Sequence, residues 1–89
     1  MRINAYTLYD RKALTYNTPF FFPNDGMAIR ALQDLVSDND TSIGRHPADY
    51  VLYHVGFYDT ERALLEHVDP LRHVMDASAL VPVTTGTLI

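Results

Sequence analysis

A chain of 89 residues with 47% hydrophobic content and no cysteine is one small folded domain without a disulfide brace, and it has neither a thiolate nucleophile nor a thiolate metal site. The formal charge of −4 is uneven: residues 1–48 balance Arg2, Arg11, Lys12, Arg30 and Arg45 against aspartates, and residues 49–89 carry the whole deficit, so the basic footprint on which duplex DNA binding rests is missing. No charged leader precedes an apolar run and no stretch reaches the roughly 18 apolar residues of a membrane span, from which a soluble, unexported chain without membrane contact is expected.

Residues 2–9, RINAYTLY, alternate as a strand does, with Ile3, Ala5, Thr7 and Tyr9 on one side and Arg2, Asn4, Tyr6 and Leu8 on the other. Asp10-Arg11-Lys12 breaks the pattern. A second extended piece follows Tyr16-Asn17-Thr18 and ends in Phe20-Phe21-Phe22, bracketed by Pro19 and Pro23. Three successive aromatics cannot share one side of a strand, and the prolines confine the piece to a sheet edge. From Asn24 the period changes: Asn24 or Asp25 serves as N-cap, and Ala28, Ile29, Leu32, Leu35 and Val36 recur at helical spacing until Ser37. Thr41 to Ala48 reads as a loop.

Asp49 to Tyr58 alternates again, and a two-residue loop at Asp59-Thr60 returns the chain through Glu61 to Val68. In that register Tyr58 stands opposite Glu61, and Val51, Val55 and Phe57 form a core side. Tyr50, Leu52, His54, Gly56 and Tyr58 form a mixed outward side. Asp69-Pro70 has the form of a helix start, with Leu71, Val74, Met75 and Ala79 as the apolar stripe of a second helix. The expected fold is a small α+β domain over residues 1–78, with a mainly antiparallel sheet, the order strand, strand, helix, strand, strand, helix, and the helices on one face. Residues 79–89 carry no charge and read as an apolar C-terminal arm.

No catalytic constellation is present. His46, His54, His67 and His73 fall in no ligand motif; His54 and His67 approach each other only diagonally across the hairpin, without an evident third ligand. The serines lack a histidine and acid arrangement, and the four glycines are too scattered to cradle phosphate. No enzyme, metal or cofactor is expected.

Tyr9-Asp10-Arg11-Lys12-Ala13, Tyr16, Pro19-Phe20-Phe21, Gly26-Met27-Ala28-Ile29-Arg30-Ala31, Asp34, Val36, Asp38, His46-Pro47-Ala48-Asp49-Tyr50, Leu52, Gly56 and Asp59 occur in an order and spacing that resemble the small non-structural protein of gokushoviruses, tailless single-stranded-DNA phages of the Microviridae. The resemblance covers about residues 1–60 and fades afterwards, where Thr60-Glu61-Arg62 replaces a glycine-containing turn. It implies a protein of the infected bacterial cytoplasm, absent from the virion, that binds DNA or serves the switch to single-stranded genome synthesis.

Two functions from different classes follow. In the first, an accessory protein of phage DNA replication binds single-stranded DNA weakly, stacking bases on Tyr6, Tyr50, His54 and Tyr58 while Arg2, Arg11, Lys12, Arg30 and Arg45 meet phosphates. The same aromatics alternatively complete the interface of a homodimer or higher homo-oligomer. In the second, an adaptor docks on a phage or host replication protein through its acidic half, without DNA contact.

Overall fold

The computed structural model describes residues 1–82. In chain order these form β1 (Arg2–Asp10), β2 (Thr15–Tyr16), β3 (Phe20–Phe22), α1 (Asp25–Val36), α2 (Ser42–Arg45), β4 (Tyr50–Asp59) and β5 (Leu64–Asp76), with 3-10 turns at Pro47–Asp49 and Ala77–Leu80. One antiparallel sheet holds all five strands: β1, β4 and β5 lie side by side, and β2 and β3 both pair with the outer edge of β1. The architecture is α+β, mostly antiparallel sheet.

The helix α1 begins where a polar side chain replaces missing backbone acceptors. Asn24, in extended conformation, accepts the N–H of Met27 through Oδ1 at 2.9 Å. Its apolar stripe buries Ala28, Leu32 and Val36 against Tyr6 and Leu8 of β1, Tyr50 and Leu52 of β4, and Ala77. The three phenylalanines divide as alternation requires. Phe20 and Phe22, opposite Tyr6 and Asn4, pack on this core, whereas Phe21, opposite Ala5, points to the other side of the sheet. The segment expected as a plain loop over 41–48 instead holds the one-turn α2 and a 3-10 turn.

The second helix expected from Asp69-Pro70 does not form; those residues lie inside the 13-residue strand β5. The helix-like spacing of Leu71, Val74 and Met75 comes from irregular strand pairing. Leu52 pairs with Met75 and Tyr53 with His73, so Val74 is an extra residue, and Val68 to Leu71 stand opposite Val55 alone, between the His54–Arg72 and Gly56–His67 pairs. Such insertions break the two-residue period, and the long ladder with β4 overrides the local cap signal.

The hairpin loop is also longer than two residues. Asp59 pairs with Leu64 and Tyr58 with Leu65, which makes the loop Thr60–Ala63 and removes the expected Tyr58–Glu61 register. The β1–β2 turn is built identically. Asp10 Oδ1 accepts the N–H of Lys12 and Ala13 (2.9 and 3.1 Å), and Leu14 N–H donates to the Asp10 carbonyl (2.8 Å). Asp59 Oδ1 accepts from Glu61 and Arg62 (2.9 and 3.2 Å), and Ala63 N–H donates to the Asp59 carbonyl (2.8 Å). Each turn ends on a left-handed residue, Leu14 at φ 58° and Ala63 at φ 56°.

The expected assignment of inward valines and outward rings is reversed. Tyr50, Leu52 and His54 face α1 together with Tyr6 and Leu8, and Val51 and Val55 lie on the opposite side of the sheet. Around Val55 the pairing shifts, Ala5 meeting Gly56 but Tyr6 meeting His54, so that Phe57 rejoins the helix side and its ring lies 4.9 Å from that of His54. The helix side offers Tyr6, Leu8, Tyr50 and Leu52 to the apolar stripe of α1, and the Tyr6 hydroxyl also bonds Asp25, the first residue of the helix. Of the apolar arm expected over 79–89, Leu80 belongs to the turn after β5 and packs on the core, and residues 83–89 lie outside the described residues.

Candidate nucleic-acid interface

Three of the four rings expected as an outward platform are interior. Tyr6, His54 and Tyr50 are 0%, 3% and 8% exposed, so no base reaches them. Their polar atoms are consumed by the helix–sheet joint. Tyr6 Oη donates to Asp25 Oδ1 at 2.7 Å, and both terminal nitrogens of Arg72 on β5 bond the same carboxylate at 2.9 Å. His54 Nε2 lies 2.9 Å from Asn4 Oδ1, and the Tyr50 hydroxyl bonds Ser42 on α2.

The electrostatics match this structural role. Burial, then the hydrogen bond to Asp25, pushes the Tyr6 hydroxyl well above the ordinary tyrosine range, so it remains a donor. Arg72 holds the Asp25 carboxyl below its usual value, and burial, with a smaller contribution from Arg72, depresses His54. His67 pairs with Gly56 on the other face, so it shares no side with His54, and among the described residues no three His, Asp or Glu side chains gather to hold a metal.

The expected cations do not converge either. Arg2 lies at one end of the sheet, over the Phe57 ring at 4.1 Å and paired with Glu66 at 3.1 Å. Arg30 rides on the exposed side of α1, and Arg45 on α2 donates to the Asn39 carbonyl at 3.0 Å. Arg11 and Lys12 sit in the β1–β2 turn at the opposite end of the sheet from Arg2. There Arg11 donates to the Ala48 carbonyl at 2.6 Å and lies 3.7 Å from Asp76.

The fourth ring, Tyr58, lies half-buried on the face away from α1, with Phe21 at 6.0 Å. That face carries a second aromatic group, which the sequence reading left out. Tyr9 and Tyr16 have centroids 4.7 Å apart, Tyr16 and Tyr53 6.2 Å, and Tyr53 and His73 6.1 Å. The cross-strand pairs Tyr9–Tyr16 and Tyr53–His73 generate the row. Tyr16 is exposed and Tyr9 and Tyr53 are half-buried, so the ring surfaces are available from solvent. The row runs across β2, β1, β4 and β5 beside the turn that holds Arg11 and Lys12. Its sequence signal was the alternation that already set Tyr9 apart from Tyr6 and Leu8; the missing information was which side the helix would cover.

The chain matches the model of the family described as Phage ORF5 protein over residues 3–80. Protein ORF5 of Chlamydia phage 1 is 33% identical over 73 residues, which cover 78% of this chain and 76% of that protein. No solved structure matches the chain. With the family model spanning both the helix-covered core and the aromatic row, the chain belongs to the Phage ORF5 protein family and is a small phage protein of the gokushovirus group.

Proposed function

We propose that this protein is a non-enzymatic accessory factor in the phage's single-stranded genome replication, acting in the host cytoplasm and outside the virion, and that it holds single-stranded DNA weakly. Bases stack on Tyr9, Tyr16, Tyr53 and His73, and Arg11 and Lys12 meet the adjoining phosphates. The observation that carries this reading is the solvent-accessible row of rings on a sheet face that no described core residue of α1 covers. A π-face accepts any base, so such a row needs no sequence-specific hydrogen bonds, and each stacked base contributes about 1–3 kcal/mol.

The adaptor reading draws on a different observation. The cations Arg2, Arg30 and Arg45 lie away from the row, and the net charge is −4. Anisotropy of a labelled oligothymidylate at about 50 mM salt separates the two. Binding that Tyr53→Ala and Tyr16→Ala each weaken by about 5- to 150-fold, with unchanged melting of the fold, supports stacking. A folded wild-type protein that leaves the oligonucleotide free at low salt would sink it and favour the adaptor.

A further inference from the structure

The aromatic row occupies one end of the open sheet face. The other end has a different chemistry: a mainly apolar hollow of about 260 Å³, with Ala5, Pro19, Phe21, Val55, Gly56 and Leu65 in its lining and Glu66 and His67 at its margin. Its floor is low because Ala5 pairs with Gly56, and Gly56 has no space for a side chain; a Cβ there would collide with the Glu66 carbonyl oxygen. Its rim is high because Leu65 is 72% exposed and Phe21 41% exposed. We infer that this half of the face binds a second copy of the same chain, face to face about a two-fold axis, with Leu65 of each copy seated in the hollow of the other.

Three properties favour a second copy as the occupant. A two-fold contact requires knob and hole on the same patch, because each residue i meeting j is repeated as j meeting i, and Leu65 stands at the edge of its own hollow. A two-fold axis also sets charges against their own kind, which penalises a chain of net charge −4 wherever its acids enter the contact. At the hollow, Glu66 pairs its carboxylate with Arg2 at 3.1 Å on the helix-covered side, which leaves the imidazole of His67, opposite Gly56, and no carboxylate on the contact face. Finally, association by edge pairing is obstructed on both flanks: Pro19 and Pro23 bracket the short β3, and Pro70 lies within β5. Face-to-face packing of two sheets remains.

The patch also sets the strength. Four strands at about 4.8 Å spacing over about six residues give roughly 400 Å² of flat area per copy, below the roughly 800 Å² per partner of a standard interface. The dimer is therefore weak, dissociating in the micromolar range or above. The aromatic row and the hollow share no residue, so the inference stands independently of the stacking proposal.

Sedimentation equilibrium over a wide concentration range tests it. The wild type is expected to pass from the monomer mass to twice that mass and plateau. Leu65→Glu is expected to raise the dissociation constant at least about tenfold, while its circular dichroism and melting match the wild type because the replaced side chain is solvent-facing. Tyr53→Ala, at the other end of the face, is expected to dimerise as the wild type does. A wild type that stays monomeric at millimolar concentration overturns the inference, as does an Leu65→Glu variant that dimerises normally or a mass that climbs past the dimer without a plateau.

Discussion

Asp25 holds three parts of the molecule at one carboxylate: as the first residue of α1 it accepts from Tyr6 on β1 and from Arg72 on β5. The Asp25–Arg72 pair is 40% and 49% exposed, so its direct worth is that of a surface pair, about 0–1 kcal/mol. Its larger consequence is to satisfy the hydroxyl of a fully buried tyrosine, which without an acceptor costs about 1–3 kcal/mol. Beside it, His54 is buried against Tyr6 and Asn4 and faces the field of Arg72 and Asp25. Its folded pKa is depressed, so the unfolded chain binds the proton more readily. The stabilisation is fully present above the unfolded value of about 6.5 and is lost as pH falls from there through the folded value. Urea midpoints measured between about pH 7.5 and 5.5 should therefore fall as the solution is acidified, and the slope should shrink in His54→Gln. An equal slope in that variant would assign the effect to other groups.

The two Asp-capped turns show how an element boundary depends on one residue's backbone. Both close on a left-handed residue that carries a side chain, Leu14 and Ala63, where glycine has no steric penalty. Ala63→Gly should accordingly stabilise the β4–β5 hairpin by about 1 kcal/mol, raising the thermal midpoint by roughly 4–8 °C in a domain of this size. A lowered midpoint would mean that the greater freedom of glycine in the unfolded chain outweighs the relieved strain. In the same turn Arg62 Nε bonds Asp59 Oδ2 at 2.8 Å and, with the backbone N–H of Glu61 and Arg62, pulls the Asp59 carboxyl down to about 2. The cap therefore stays ionised throughout the range in which His54 titrates.

For the molecule as a whole, charge sets the limit on any nucleic-acid role. Arg11 and Lys12 share the turn at the row's end of the sheet, where Arg11 is within 3.7 Å of Asp76 and Lys12 lines a hollow with Ser42, His46 and Tyr50. Two phosphate contacts on a single strand give a log–log salt slope of about −1.4, a roughly sevenfold loss of affinity between about 50 and 200 mM salt. A slope of about −3.5 would require Arg2, Arg30 and Arg45 to join the contact. A slope of zero would leave stacking without phosphate contacts. The proposed binding is thus stacking-dominated, as an acidic chain requires.

Periodicity, caps and prolines in the sequence carry much of the local structure. The alternation of residues 2–9, the Asn24 cap with its apolar stripe, and the edge position of the phenylalanines between prolines all arise from interactions within a few residues. The strand through Asp69-Pro70 escaped because extra residues opposite β4 imitate helical spacing, and the four-residue turns escaped because the left-handed position holds alanine or leucine instead of glycine. The accessible aromatic row was hidden for a deeper reason. Alternation separates the two sides of a strand but does not name the one a helix will cover; that is decided where α1 packs on Tyr6, Leu8, Tyr50 and Leu52 and its first residue, Asp25, bonds Tyr6 and Arg72, residues brought side by side only when distant strands pair.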